Sequence, residues 1–179
     1  MRSLAVILLV IFLSAAFMQP MIETANICKD KVALGAAILN SCRAASNLTL
    51  EDDKWRDLDA KIDPGEFAKN FAEAFGETFN ISQEGSPIVS GDTASLKFSA
   101  GGQWDKIAIQ LVFQGTANIA TNVGLFSHYD LGYNEAIVDI SLTTPYVFRT
   151  KLLQQVMRVS PTSSYNITEK RRFIVRVIN

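Results

Sequence analysis

The 179-residue sequence predicts an α+β fold: a long membrane-anchoring helix continues into a helix rich in small residues, and short helices and an antiparallel β-sheet follow. Three observations lead to this prediction. No charged residue occurs from Leu4 to Ile22, a helical spacing continues from Glu23 to Ser46, and apolar residues alternate with polar ones after about Phe79. The predicted units are residues 1–46, a transmembrane and packing helix, and residues 47–179, a folded α+β domain.

The apolar run from Leu4 to Ile22 has the length of a membrane span. About 19 residues at a rise of 1.5 Å cover roughly 28 Å, close to the thickness of the hydrocarbon core of a bilayer. This length favours an uncleaved signal anchor. The residues Ser14-Ala15-Ala16 also fit a signal-peptide cleavage site. Two interpretations therefore stay open, an anchor that is retained and a secretory signal that is cleaved after Ala16.

The charges that flank the run predict its orientation. Arg2 and the terminal amine precede it, and Glu23 follows it directly. Positive charge is retained on the cytoplasmic side of a membrane. We therefore expect a single-pass protein of the cell membrane with a cytoplasmic N-terminus and an extracytoplasmic C-terminal domain.

A seam of mostly small residues follows the run at alternating steps of three and four. Its central members are Cys28, Val32, Gly35, Leu39 and Cys42. Small side chains allow close approach of another helix, which predicts a packing surface for partner subunits or for a second copy in a homodimer. The alternative is that the sheet of the same chain covers this seam.

The two cysteines of the seam cannot bridge within one helix. Fourteen residues separate them by roughly 21 Å, whereas a disulfide needs Cα atoms within about 7 Å. Cys28 and Cys42 are therefore either buried thiols or partners of their counterparts in a parallel dimer.

Two helices are predicted at the start of the domain. Thr49 and Asp52 resemble a helix start, and the apolar residues Trp55, Leu58 and Ile62 then share one face. Asp63-Pro64 is a clearer start, with an N-cap acid before a proline at the first helical position. The second helix carries a stripe of aromatic residues that we interpret as core: Phe67, Phe71 and Phe75.

The strands are predicted from alternation with a period of two. A hairpin is expected on both sides of Gly101-Gly102, and two further strands follow; residues 152–159 fit helix and strand equally well. The sheet should contain four to six strands, with these apolar positions: Leu96, Phe98, Ala100, Ile107, Ile109, Leu111 and Phe113 in the hairpin, Val138, Ile140 and Leu142 in the next strand, and Phe173, Val175 and Val177 in the last.

No catalytic, cofactor-binding or metal-binding site is predicted. The single histidine, His128, excludes a multi-histidine metal site, and no signature marks a serine or cysteine as its nucleophilic partner. A hydrolase that uses His128 is a distant third hypothesis. With a formal net charge of −1, the basic cluster Lys170-Arg171-Arg172 is interpreted as a solvated strand face, so no nucleic-acid binding is expected.

Both ends of the chain resemble the TadE/TadG-like family, the pseudopilin-like proteins of tight-adherence (Flp) pilus assembly. The resemblance lies in the apolar start, in Glu23 with the helix KVALGAAILNSCRAAS, and in VDISLTTPYVFRTKLLQQV with the later EKRR. It implies a single-pass cell-envelope protein with a pilin-like body and no catalysis of its own. Its partners would be membrane lipid and other pilus or secretion subunits, contacted through the N-terminal helix. The alternative is a secreted or surface binding module released by cleavage after Ala16.

Overall fold

The helices and strands are given by a computed structural model that describes residues 2–49, 62–99, 106–119, 133–150, 153–155 and 165–178. The predicted α+β architecture is confirmed: a long N-terminal helix, a short helix and an antiparallel sheet of six strands. In chain order the elements are α1 (Arg2–Thr49), α2 (Pro64–Phe79), β1 (Ser82–Gln83), β2 (Ile88–Ser90), β3 (Thr93–Ser99), β4 (Lys106–Ile119), β5 (Tyr133–Pro145) and β6 (Asn166–Ile178).

Helix α1 is continuous from the apolar run into the folded body, as the sequence predicts. It passes through Pro20, where the hydroxyl of Thr24 donates to the Pro20 carbonyl at 2.9 Å. The first helix predicted in the domain, from Thr49 towards Ile62, falls mainly on residues 50–61, which lie outside the described residues.

Helix α2 begins and ends at the residues that the sequence chemistry requires. The Asp63 carboxylate accepts the amides of Gly65 and Glu66 at 2.8 and 2.9 Å, which satisfies two of the free N–H groups of the first turn. Asn80 ends the helix with φ 52°, in the left-handed region that a C-terminal cap uses.

The predicted aromatic stripe of α2 is core. Its three phenylalanine rings, Phe67, Phe71 and Phe75, are fully buried, and neighbouring rings stack with centroids 6.5 and 5.8 Å apart. Phe75 also lies 5.2 Å from the ring of Phe98 on β3, which joins the helix to the sheet.

The strands form one antiparallel sheet in the order β1-β3-β4-β5-β6, with β2 also paired to β3. The predicted hairpin is β3 and β4, in which Phe98 pairs with Ile107; its connection lies outside the described residues. The two later strands are β5 and β6. Of the ambiguous segment 152–159, residues 153–155 are described and are helical.

One face of the sheet packs against both helices. Helix α1 contacts α2 and β6, and α2 also contacts β3. The core that results combines side chains from every layer: Leu34 and Ile38 of α1, Phe71 of α2, and Leu96, Leu111 and Ile140 of the sheet. The second half of α1 is thus part of the body, and the predicted unit boundary after residue 46 falls three residues before the end of this helix.

The other face of the sheet is mostly polar. Asp139 of β5 accepts from Arg172 of β6 at 2.7 Å and from the Gln114 amide at 2.8 Å. This pairing lowers the pKa of Asp139 and raises the pKa of Arg172. The basic cluster on β6 is divided between faces, because Arg171 alternates with Arg172 and lies on the helix side.

Candidate functional site

The apolar run of α1 is not covered by the body. Its large apolar side chains are exposed by between 45% for Leu13 and 72% for Met21. This helix is long and apolar enough to span a membrane, by length and composition. Burial begins at Glu23, one residue after the run, so the boundary between the uncovered and the packed parts of α1 is sharp.

Glu23 is the most unusual residue at this boundary, because its side chain is charged and only 2% of the residue is exposed. Its carboxylate accepts three hydrogen bonds from the segment that follows β5. The Tyr146 hydroxyl donates to Oε2 at 2.5 Å, and the backbone amides of Arg149 and Thr150 donate to Oε1 at 2.7 and 2.6 Å. These bonds compensate the loss of water around a buried carboxylate.

A second acid of α1 binds the same segment. Asp30 lies seven residues after Glu23, two helical turns along one face. Arg149 Nη2 donates to both oxygens of the Asp30 carboxylate, at 2.9 Å to Oδ2 and 3.2 Å to Oδ1. The Asp30 side chain is 5% exposed and that of Arg149 is 38% exposed, so the guanidinium is the part of this ion pair that faces solvent. We call Glu23, Asp30, Tyr146, Arg149 and Thr150 the carboxylate clamp.

Within the clamp, the pair formed by Glu23 and Tyr146 has a defined protonation state. Burial alone would raise the pKa of Glu23, but the bonds from Tyr146 and from the amides of Thr150 and Arg149 outweigh it and hold that pKa below its usual value. Burial and the adjacent Glu23 carboxylate raise the pKa of the Tyr146 hydroxyl. The proton therefore stays on the tyrosine, and the glutamate remains ionised.

The segment 146–150 is held in place by its own chain as well. The Tyr146 amide donates to the Tyr165 carbonyl at 2.8 Å, which extends the pairing of β5 with β6. The Tyr146 ring packs edge-on against Phe148 at 5.3 Å and against Tyr165 at 6.2 Å. Gln154 donates from its side chain to the Phe148 carbonyl at 2.7 Å. The clamp therefore joins α1 to the end of the two longest-paired strands of the sheet.

Gly35 marks a close approach of α1 to β6. A Cβ atom at this position would lie 2.6 Å from Arg171 Nη2 and 3.2 Å from Glu169 Oε1. Arg171 and Glu169 form an ion pair at 2.7 Å on the helix side of β6. The absence of a side chain at Gly35 leaves room for this pair beneath the helix.

The five residues of the predicted helix-packing seam lie on different surfaces of α1. Gly35 and Cys42 are buried, Leu39 is half-buried, and Cys28 and Val32 are exposed. The packed face is set instead by the larger residues Leu34 and Ile38, because they remove more apolar area from water than the small residues do. The sheet and α2 cover the second half of the seam, and its first half remains open to a partner.

The cysteines differ in the same way. Cys42 is a buried free thiol, and burial raises its pKa to about 12. Cys28 is a free, exposed thiol. Of the two cysteines considered for a bridge between chains, only Cys28 lies on an accessible surface.

The described part of the chain holds no group of three or more histidine, cysteine or acidic side chains that would bind a metal ion. His128, the candidate of the hydrolase hypothesis, lies outside the described residues. In the clamp, donors of segment 146–150 bind the two carboxylates of α1, an arrangement that holds this segment and the helix together. Neither a protein-family model nor a curated protein nor a solved structure matches the chain.

Sequence reasoning did not identify the clamp. In the sequence, Glu23 serves as a charge that flanks the run and as a feature of the family resemblance, and Asp30 carries no prediction. The signal lay in the spacing of Glu23, Ile27, Asp30 and Leu34, which puts two acids on the same helical face as the apolar residues. An acid on a buried face requires a donor. Arg149, directly after the motif Pro145-Tyr146-x-Phe148, is such a donor.

Proposed function

We propose that the chain is a membrane-anchored, non-enzymatic, pseudopilin-like subunit of a pilus or secretion assembly. One observation carries the proposal: a single helix is uncovered and apolar along its first part and packed into an antiparallel sheet along its second. Such a helix serves as an anchor in lipid and as a packing element between subunits. The TadE/TadG-like features at both ends of the sequence agree with this role.

In the proposed arrangement the N-terminus is cytoplasmic and the body lies outside the membrane. Arg2 before the run and Glu23 after it support this orientation. Other subunits would meet α1 on its free surface, which includes Cys28 and Val32. The same surface would serve in a homodimer, and no nucleic acid is expected as a partner.

The alternative is a secreted or cell-surface binding module. Cleavage after Ala16 would leave Glu23 and every later contact of the body in place, so a cleaved chain would retain the fold. The two functions differ in what remains attached to the body. An anchored subunit keeps the whole run, and a released module begins at Phe17.

Fractionation of expressing cells tests the proposal. The anchored subunit should stay in the membrane pellet after a carbonate wash, and mass spectrometry of its N-terminal peptide should include Leu4. A variant with Val10→Lys places a charge in the middle of the run and should lower membrane recovery. The matched control is Val89→Lys, at an exposed position of β2. A soluble chain that begins at Phe17 would favour the binding module.

Mild oxidation of the membranes tests the contact surface. A homodimer in which α1 meets its counterpart near Cys28 should give a disulfide-linked band on non-reducing electrophoresis. Cys28→Ser should abolish the band and Cys42→Ser should leave it, because Cys42 is buried. A band that depends on Cys42 would show that the packed half of α1 opens to a partner.

A further inference from the structure

The carboxylate clamp fixes an apolar loop beside the end of the apolar run. Tyr146, Arg149 and Thr150 all contact Glu23, and Val147 and Phe148 lie between them. No residue of this loop is more than about 7 Å, or two extended residues, from one that touches Glu23. The loop therefore lies at the level of α1 where the run ends.

Two apolar or aromatic side chains at this level are exposed. Val147 is 52% exposed, and Tyr165, whose ring packs edge-on against Tyr146, is 41% exposed. Phe148 is half-buried against the core. A single exposed valine is ordinary on a protein surface. Here it belongs to the loop that binds Glu23, the residue directly after Ile22, which is itself 53% exposed.

We propose that Val147 and Tyr165 bind the lipid bilayer at the boundary between its hydrocarbon and its headgroups, on the side that carries the body. This inference rests on the proposed anchoring through the apolar run. Tyrosine is suited to this boundary because its ring is apolar and its hydroxyl is polar. Valine adds apolar area that lipid chains cover.

The clamp determines the depth of this contact. Glu23 follows Ile22 at a helical rise of about 1.5 Å, so the loop that binds Glu23 cannot lie far from the end of the run. The ionised carboxylate is shielded from hydrocarbon by the three donors that surround it. The body is thus docked on the membrane surface, with the loop as its contact.

Fluorescence quenching by lipid tests the proposal on the full chain. Cys28 and Cys42 are replaced by serine and alanine, and single cysteines at Val147, Tyr165 or Val89 are labelled with the polarity-sensitive dye NBD. The proteins are reconstituted in phosphatidylcholine vesicles that carry a nitroxide quencher near the headgroup or, in a parallel sample, in the middle of the acyl chain, the depth that Phe12 would reach. A fourth label at Phe12, within the run, reports separately whether the run enters the bilayer.

The control position, Val89, is a valine of similar exposure on β2, at 42%. It pairs with Ala94 of β3, which through Leu111 lies level with Ile140, five residues from Pro145 along β5 and two strands away from it. We expect blue-shifted emission and loss of intensity at Val147 and Tyr165, with no quenching at Val89. Circular dichroism checks that each labelled protein is folded.

The outcomes separate this inference from the anchoring. Quenching at Phe12 without quenching at Val147 and Tyr165 would overturn the inference and leave the anchor intact. Blue-shifted emission at Val147 that lipid nitroxide does not quench would show that protein, the chain itself or a second copy, covers this position in place of lipid, and would also overturn the inference. The loss of quenching at Phe12 would refute the anchor and the membrane contact together.

Discussion

Replacing Glu23 of α1 with alanine should destabilise the body by removing the acceptor of three hydrogen bonds. The substitution leaves the Tyr146 hydroxyl and the amides of Arg149 and Thr150 without their acceptor. A buried polar group without a partner costs about 1–3 kcal/mol. The two amides are partly reached by water and fall at the low end, so the total should be about 3–5 kcal/mol of unfolding free energy. This is a large part of the stability of a typical domain.

The measurement is urea unfolding of the detergent-solubilised full chain, followed by circular dichroism. A double-mutant cycle with Tyr146→Phe isolates the bond between the hydroxyl and Glu23, for which we expect a coupling of about 1.5–3 kcal/mol, as for a hydrogen bond to a charged group. The matched control is Glu73→Ala, an exposed acid on α2, which should change stability by less than about 0.5 kcal/mol. A loss below about 1 kcal/mol for Glu23→Ala, or a coupling near zero, would refute the clamp as a stabilising contact.

Four further predictions concern other parts of the chain. Because the pKa of Glu23 is lowered in the folded state, its contribution is complete above about pH 4.5 and is lost as pH falls below that value; Glu23→Gln should reduce the acid dependence of the urea midpoint. Ellman's reagent should titrate Cys28 in the folded chain and Cys42 only after unfolding, and equal rates would contradict the buried position of Cys42. Phe71→Ala should cost about 3–5 kcal/mol in the same urea assay, and a value near zero would place this ring outside the core. A chain that begins at Asn47 should fail to show a cooperative transition because it lacks the packed half of α1, and a sharp thermal transition would show that the sheet and α2 suffice.

The sequence predicts those helices and strands whose start, end or buried face is set by residues within the element itself. Asp63-Pro64 fixes the start of α2 through its own side chain and ring, and the steps of four among the phenylalanines place them on one face. The alternation at Leu96 and Phe98 likewise requires only that one side of the strand is buried. These patterns do not depend on which distant segment supplies the partner.

Which face of α1 is buried, and which donors form the clamp, depend on distant segments of the chain and could not be predicted in the same way. Small residues along Cys28 and Gly35 and larger ones along Leu34 and Ile38 offer two overlapping helical stripes, and the sheet decides between them. The donors for Glu23 lie 123–127 residues later in the chain. No local spacing encodes a pairing over that distance.

Because α1 is one continuous helix, the direction of the apolar run also fixes the direction of the helical segment that packs on the sheet. Thr49 lies roughly 39 Å beyond Glu23 along α1 at 1.5 Å per residue. For a chain anchored through its run, a tilt of about 20°, ordinary for membrane helices, would move Thr49 sideways by roughly 13 Å. Since the tilt of such a helix adjusts to bilayer thickness, a thinner or thicker membrane would turn the whole body and present different strands to its surroundings.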